Sequence, residues 1–391
     1  MTRKYFLLIS LIILSLPINY AFFLDFFRLI DVLSIVLIIV TFKKWKLDFI
    51  ELYLWLFFFI LILFSSFFGF HSMNYLDLID GLGFFYKYVF ILLFLSSLSS
   101  IQVNQKQLKV IYNLLYIVYL FLLSWIFIYV YLVSNKILIG AYRPSFPFSN
   151  NYQLSDSHFY ANYLALSFTF FYLTKTNYKI PIVLKIIEYI LIFPAILLTG
   201  SRNGVLILSI SMLSIILLNF GKIKTLLKES LYFSSILIFA FIGISLLLSF
   251  SSLNKDLDVL INRVFSFTPD ASFIGRISKF GQALNEASYG SYFLGIGLFS
   301  RRGIWYDGIH SQIISAGGFL SFLVFLFICL YYWNKGRNYF VTKSLSYDYT
   351  LMFFLYFISN FITEFALISR SVIPFLLYIF VLINSEKPLQ K

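Results

Sequence analysis

About twelve apolar runs, most of them near the length of a bilayer crossing, make up most of this chain, far more than one soluble core can absorb. They lie near 5–24, 28–42, 49–68, 83–99, 108–133, 157–174, 180–199, 202–220, 230–250, 311–333, 349–368 and 370–384. In hydrocarbon the backbone must satisfy its own polar groups, which leaves helices or closed barrels. Continuous runs without alternation select helices. Composition agrees: 60% of the 391 residues are hydrophobic and 12% are charged, against about a quarter charged in an ordinary soluble domain. The first run follows Thr2-Arg3-Lys4, has no small-residue cleavage site and is succeeded at once by a second, so it reads as a retained span.

Basic residues then orient the chain. Lys43, Lys44 and Lys46 separate runs two and three; Lys106 and Lys109 follow run four; Lys175 and Lys179 follow run six. Lys222, Lys224 and Lys228 follow run eight, and Lys335, Arg337 and Lys343 follow run ten. Short cytoplasmic loops carry the Lys/Arg excess, so both termini are expected in the cytoplasm. Most of the net charge of +13 sits in these loops, where orientation and anionic lipid account for it and no nucleic-acid partner is needed. Cys329 lies inside an apolar run and, as the single cysteine, forms no internal disulfide.

The expectation is an all-α polytopic membrane protein, one transmembrane domain over 1–391 with about twelve helices. Two long connections fall outside, 134–156 and 251–309. In the second, Leu253, Leu257, Leu260, Ile261, Val264 and Phe265 follow helical spacing, as do Phe273, Ile277, Phe280, Leu284 and Ala287. They predict two amphipathic helices on the outer surface, followed by a turn rich in glycine from Gly290 to Gly303.

Arginine and histidine on the outer side need another explanation than orientation. Arg202 lies in Leu198-Thr199-Gly200-Ser201-Arg202-Asn203-Gly204, almost without loop between two runs. It either snorkels to headgroups or offers a fork to phosphate oxygens at a helix N-terminus, which favours anions; Ser201 or Asn203 supplies the cap. Arg276 is a polar position of the second amphipathic pattern, and His310 precedes Gly317-Gly318-Phe319. Histidine titrates near neutrality and is suited to take a proton from a sugar hydroxyl; the plainer alternative is a hydrogen-bonded histidine at a helix start. Arg143, ahead of Pro144 and Pro147, is a candidate for glycan or phosphate contact or for a structural role. His158, Glu364 and Arg370 are further candidates for substrate binding, with capping, burial and mutual pairing as their structural alternatives. Asp256-Leu257-Asp258 has helical spacing that puts its carboxylates on a solvated face, so no metal is assigned.

The order of these segments resembles the O-antigen polymerase and O-antigen ligase superfamily. The likeness rests on the Thr-Gly-Ser-Arg-Asn-Gly turn, the arginine-led helix before Gly295-Ile296-Gly297, and the passage from His310 to Gly-Gly-Phe, within about 198–205 and 275–320. Ser311 follows the histidine where the family has Asn, and Ala316 stands where an acidic residue often precedes the glycines. The resemblance implies a membrane glycosyltransferase working without metal or other cofactor at the outer face of the cytoplasmic membrane. Donor and acceptor would be undecaprenyl-diphosphate-linked glycans, with a flippase and a chain-length regulator as candidate partners. The expected activity is polymerisation of repeat units of O-antigen or capsule. Transfer of finished polymer to lipid A-core is the alternative, and a lipid-linked glycan flippase the rival from another class. In this reading Arg202, Arg276 and His310 are catalytic, and Arg143, His158, Ser201, Asn203, Glu364 and Arg370 bind substrate.

Overall fold

The computed structural model describes residues 3–18, 21–23, 27–45, 48–68, 75–138, 143–144, 146–148, 157–174, 178, 180–218, 234, 238, 278, 281–285, 292–297, 309–341, 345–362 and 369–385. In chain order the elements are α1 (Arg3–Ser15), β1 (Ala21–Phe23), β2 (Phe27–Arg28), α2 (Leu29–Thr41), α3 (Phe49–Phe68), α4 (Tyr75–Ser99) and α5 (Gln105–Ser134). They continue with α6 (Ser157–Thr174), α7 (Ile182–Leu198), α8 (Arg202–Leu218), α9 (Ile309–Val341), α10 (Ser346–Ile362) and α11 (Ser369–Asn384). Four stretches, Phe49–Phe67, Gly81–Ser99, Gln105–Val133 and Ile309–Val341, are long and apolar enough to cross a bilayer, as expected of a membrane protein.

The first apolar run departs from the expected continuous span. Pro17 has no amide to give to Ile13, so the helix stops at Ser15 and tightens through Leu16 N–H to Ile13 O at 3.2 Å and Ile18 N–H to Ser15 O at 3.0 Å. The chain then forms a two-stranded antiparallel hairpin, Ala21 opposite Arg28, before α2. The run at 230–250 lies almost wholly outside the described residues, as do most of the two amphipathic helices expected within 251–309; residues 281–285 are helical there.

Helix α6 occupies the centre. Sixteen of its eighteen residues are buried, and it packs on α5, α7, α8, α10 and α11. A helix apolar on every side belongs inside a bundle, with lipid reserved for its neighbours. Its polar residues turn inward to the backbone or to each other: Ser167 Oγ donates to Tyr163 O at 2.6 Å, and Thr169 Oγ1 to Ala165 O at 2.8 Å. Such bonds satisfy hydroxyls where water is absent.

Helices α3 and α9 lie against each other and are joined at one end by charge. Lys335 Nζ donates to Glu51 Oε2 at 3.1 Å and to Asp48 Oδ2 at 3.4 Å. Tyr331 donates to Asp48 at 2.7 Å, Tyr332 to Glu51 at 2.7 Å, and Trp55 Nε1 to Tyr332 at 3.0 Å. The Tyr331 hydroxyl, then the Ile50 amide, hold the Asp48 carboxyl below its ordinary range.

Candidate functional site

The turn between α7 and α8 is built by its own residues. Gly200 adopts φ 62°, a left-handed conformation that glycine takes without steric cost, and its amide returns to Leu197 O at 2.8 Å. Ser201 Oγ accepts the Gly204 amide at 3.3 Å, so Ser201 is the cap of α8 and Arg202 its first residue. Asn203 Nδ2 donates to Asn162 Oδ1 of α6 at 3.0 Å, with both side chains buried. Gly204 lets the helices approach: a Cβ there would meet the Ala161 Cβ at 2.5 Å.

The first long connection is pinned to the same turn. Arg143 is 9% exposed and its Nε donates to Thr199 O at 3.1 Å, at the carbonyl end of α7. Phe146 stacks on Tyr160 with ring centroids 4.5 Å apart. His158, half-buried in the first turn of α6, lies one turn before Asn162 on the same helical face. The fold therefore gathers Arg143, Ser201, Arg202 and Asn203 at one junction, beside the end of α6 that carries His158.

His310 is the second residue of α9 and is half-buried. The helix it opens is broken at Gly318, whose φ of 66° and ψ of −173° are not helical. Residues 292–297 fill the break. Ile296 N–H and Gly297 N–H donate to the carbonyls of Ser315 and Ala316, both at 2.9 Å. The amides of Phe319 and Leu320 donate to Tyr292 O and Phe293 O at 2.9 and 3.2 Å. Gly295 and Gly297 also have positive φ, 70° and 85°, and a Cβ on Gly297 would lie 2.4 Å from the Ser66 Cα of α3. The arm before the break carries Ser311, Gln312 and Ser315, all buried.

Below this arm is an apolar cavity of about 140 Å³ between α3, α4, α9, α10 and α11. Ile309, next to His310, lines it together with Trp55, Phe325, Cys329, Tyr356 and Phe375. The two candidate regions share a neighbour, since α10 packs on both α8 and α9.

Arg276 and Glu364 lie outside the described residues. Arg370 is the second residue of α11, with its side chain outside the described residues. Glu188 was not singled out by sequence reasoning, although a carboxylate inside the apolar run 180–199 is a signal in itself; it is 5% exposed on α7. Asn162 was also missed, because a lone Asn near a helix start has no local pattern that points to Asn203.

Family models, curated proteins and solved structures were each compared with the chain, and none matches.

Proposed function

We propose that this protein is a glycosyltransferase of the cytoplasmic membrane that polymerises lipid-linked repeat units of a surface polysaccharide at the outer face. The observation that carries the reading is the convergence of two arginines, Arg143 and Arg202, on one turn at the N-terminal end of α8. Transfer at the anomeric carbon breaks the bond to the lipid diphosphate, and negative charge builds on the leaving group. The Arg202 guanidinium, at a helix N-terminus, is suited to that charge where the dielectric is low, with Arg143 on the same turn as a substrate-binding group. His310 is the base for, or a positioning donor to, the acceptor hydroxyl, and the cavity reaching Ile309 offers apolar room beside it. Arg276 completes the cationic site in this reading, and His158, Ser201, Asn203, Glu364 and Arg370 bind substrate. Donor and acceptor are undecaprenyl-diphosphate-linked glycans; a flippase and a chain-length regulator are the candidate partners.

About twelve spans with both termini inside complete the proposal. Reporter fusions at Lys224 and Lys343 should read cytoplasmic and one near Lys255 external; an external signal at Lys224 would overturn the orientation. The activity is tested by surface glycan length in a deletion strain. Single-repeat glycan supports polymerisation. Unlinked lipid-borne polymer would assign a ligase instead, and loss of all external glycan a flippase.

A further inference from the structure

Glu188 is a carboxylate that the proposed transfer does not use. It lies about 9 Å along α7 from Ile182, at a rise of about 1.5 Å per residue. Tyr116 of α5 donates to its Oε2 at 2.9 Å. Tyr112, Tyr116 and Tyr119 recur at spacings of four and three along α5, so they share the face of that helix from which Tyr116 reaches the carboxyl group. Beyond Tyr112, the Thr174 hydroxyl lies 3.2 Å from the Tyr112 oxygen, and the Tyr178 ring stacks on Tyr112 at 3.8 Å between centroids. These residues lead from the carboxyl group to the end of the bundle where α6 stops and α7 begins.

The other neighbours add little charge. Phe171 of α6 covers the site, its ring 4.9 Å from Tyr116 and 5.3 Å from Tyr119. On α7 itself Lys185, one turn earlier and half-buried, is the cation that acts on the group, and Tyr189 adds a hydroxyl nearby. From α11, Tyr378 acts on Tyr119. No ion pair among the described residues includes Glu188. A buried ionised carboxylate that accepts from one tyrosine hydroxyl and forms no ion pair costs far more than a neutral acid in the same place. Packing alone needs no carboxyl group there.

We infer that Glu188 is a proton-binding site inside the membrane, loaded from the end of the bundle marked by Tyr178 and Thr174, with an exchangeable proton on the carboxyl group. The ligand is the proton itself, and the inference stands apart from the glycosyl-transfer reading.

Dicyclohexylcarbodiimide, an apolar reagent that enters bilayers, tests it on the full-length protein in lipid nanodiscs. The protonated carboxyl group adds across one C=N bond, its proton passing to nitrogen. Acyl transfer from oxygen to nitrogen then leaves a stable N-acylurea, with every atom retained. Peptide mass mapping should place the adduct on Glu188 at acidic pH, with yield falling about tenfold per pH unit beyond the midpoint. Infrared spectroscopy of the same samples should show a carboxylic-acid carbonyl band, lost as pH rises and missing from Glu188→Gln. That band decides the matter if the reagent fails to reach the site. A yield and band independent of pH would overturn exchange, and absence of both at acidic pH would overturn the site.

Discussion

The amide of Ile296 donates to the carbonyl of Ser315 at 2.9 Å, in the place that the amide of Phe319 would hold in an unbroken helix. The Phe319 amide is compensated by Tyr292 O, and the same exchange is repeated one residue on, with Gly297, Ala316, Leu320 and Phe293. Four backbone groups that a break would orphan thus find partners in one inserted segment. An uncompensated break in hydrocarbon would cost several kcal/mol per group. Non-helical backbone at membrane depth is tolerated where protein buries it or where it lines a cavity, and this break stands between His310 and the rest of α9.

Gly318 is the residue that this exchange least tolerates losing. Its φ is +66°, and a Cβ would meet the Phe293 carbonyl oxygen at 2.2 Å. Gly318→Ala should destabilise by about 2 kcal/mol or more, combining left-handed strain with displacement of the insert. Gly281, in the helical residues 281–285, has nothing within 4 Å of its added Cβ. There Gly→Ala should stabilise by about 0.5–1 kcal/mol. Thermal melting in detergent should move in opposite directions for the two variants; equal shifts would contradict the inserted geometry.

Helices α6 and α8 should respond to a compensating pair. Gly204→Ala brings a methyl group 2.5 Å from Ala161 Cβ and should cost about 1–3 kcal/mol through overpacking. Ala161→Gly in the same chain should recover most of that loss, because it removes the atom that is struck. A double-mutant cycle on melting temperature reads the coupling. Additive effects would show that the two residues are not in contact.

The two arginines at the junction should separate by readout. Arg143 is buried and bonds the α7 carbonyl end, so Arg143→Ala should lower membrane abundance and melting temperature. Arg202→Lys keeps the charge but loses the bidentate fork, so it should lose most polymer synthesis at near-normal abundance. Full synthesis by Arg202→Lys would remove Arg202 from the site.

The charge lock between α3 and α9 gives a signed dependence on pH. Tyr331, the Ile50 amide and Lys335 favour the ionised form of Asp48, so its folded value lies below its unfolded one. Its contribution is therefore present above the unfolded carboxylate value and is lost as pH falls through the lower folded value. Acid melting curves of the unmodified protein should converge on those of Asp48→Asn within that window. The effect is small, because Asp48 is exposed and screened.

Much of the helical framework was legible because the stretches of α5 and α9 are long and apolar, which length alone reads as spanning. The hairpin at Ala21–Arg28 was not, since its residues extend an apolar run and only Pro17 marks the end of α1. Gly295 and Gly297 were legible as irregular backbone, whereas Gly318 was hidden inside the apolar run 311–333, read as one span. That these two segments interlock was not legible, because the contacts join residues 19 and 27 positions apart through backbone groups that no side-chain pattern reports. The Arg143 bond to Thr199 is hidden for the same reason: its acceptor is a carbonyl 56 residues away.

His310 opens the arm that the inserted segment holds, so its position depends on backbone geometry while its chemistry depends on the imidazole. If it takes the acceptor proton, His310→Ala should reduce turnover by about 10²–10⁴-fold, the usual contribution of a general base. His310→Gln retains hydrogen bonding but cannot take up the proton at neutral pH, and should be nearly as poor. If the imidazole only positions the acceptor, Gln should recover a substantial part of what Ala loses. Purified protein with lipid-linked repeat units, assayed for polymer length and rate, distinguishes the two. Normal turnover in His310→Ala would leave the arginines as the whole of the site.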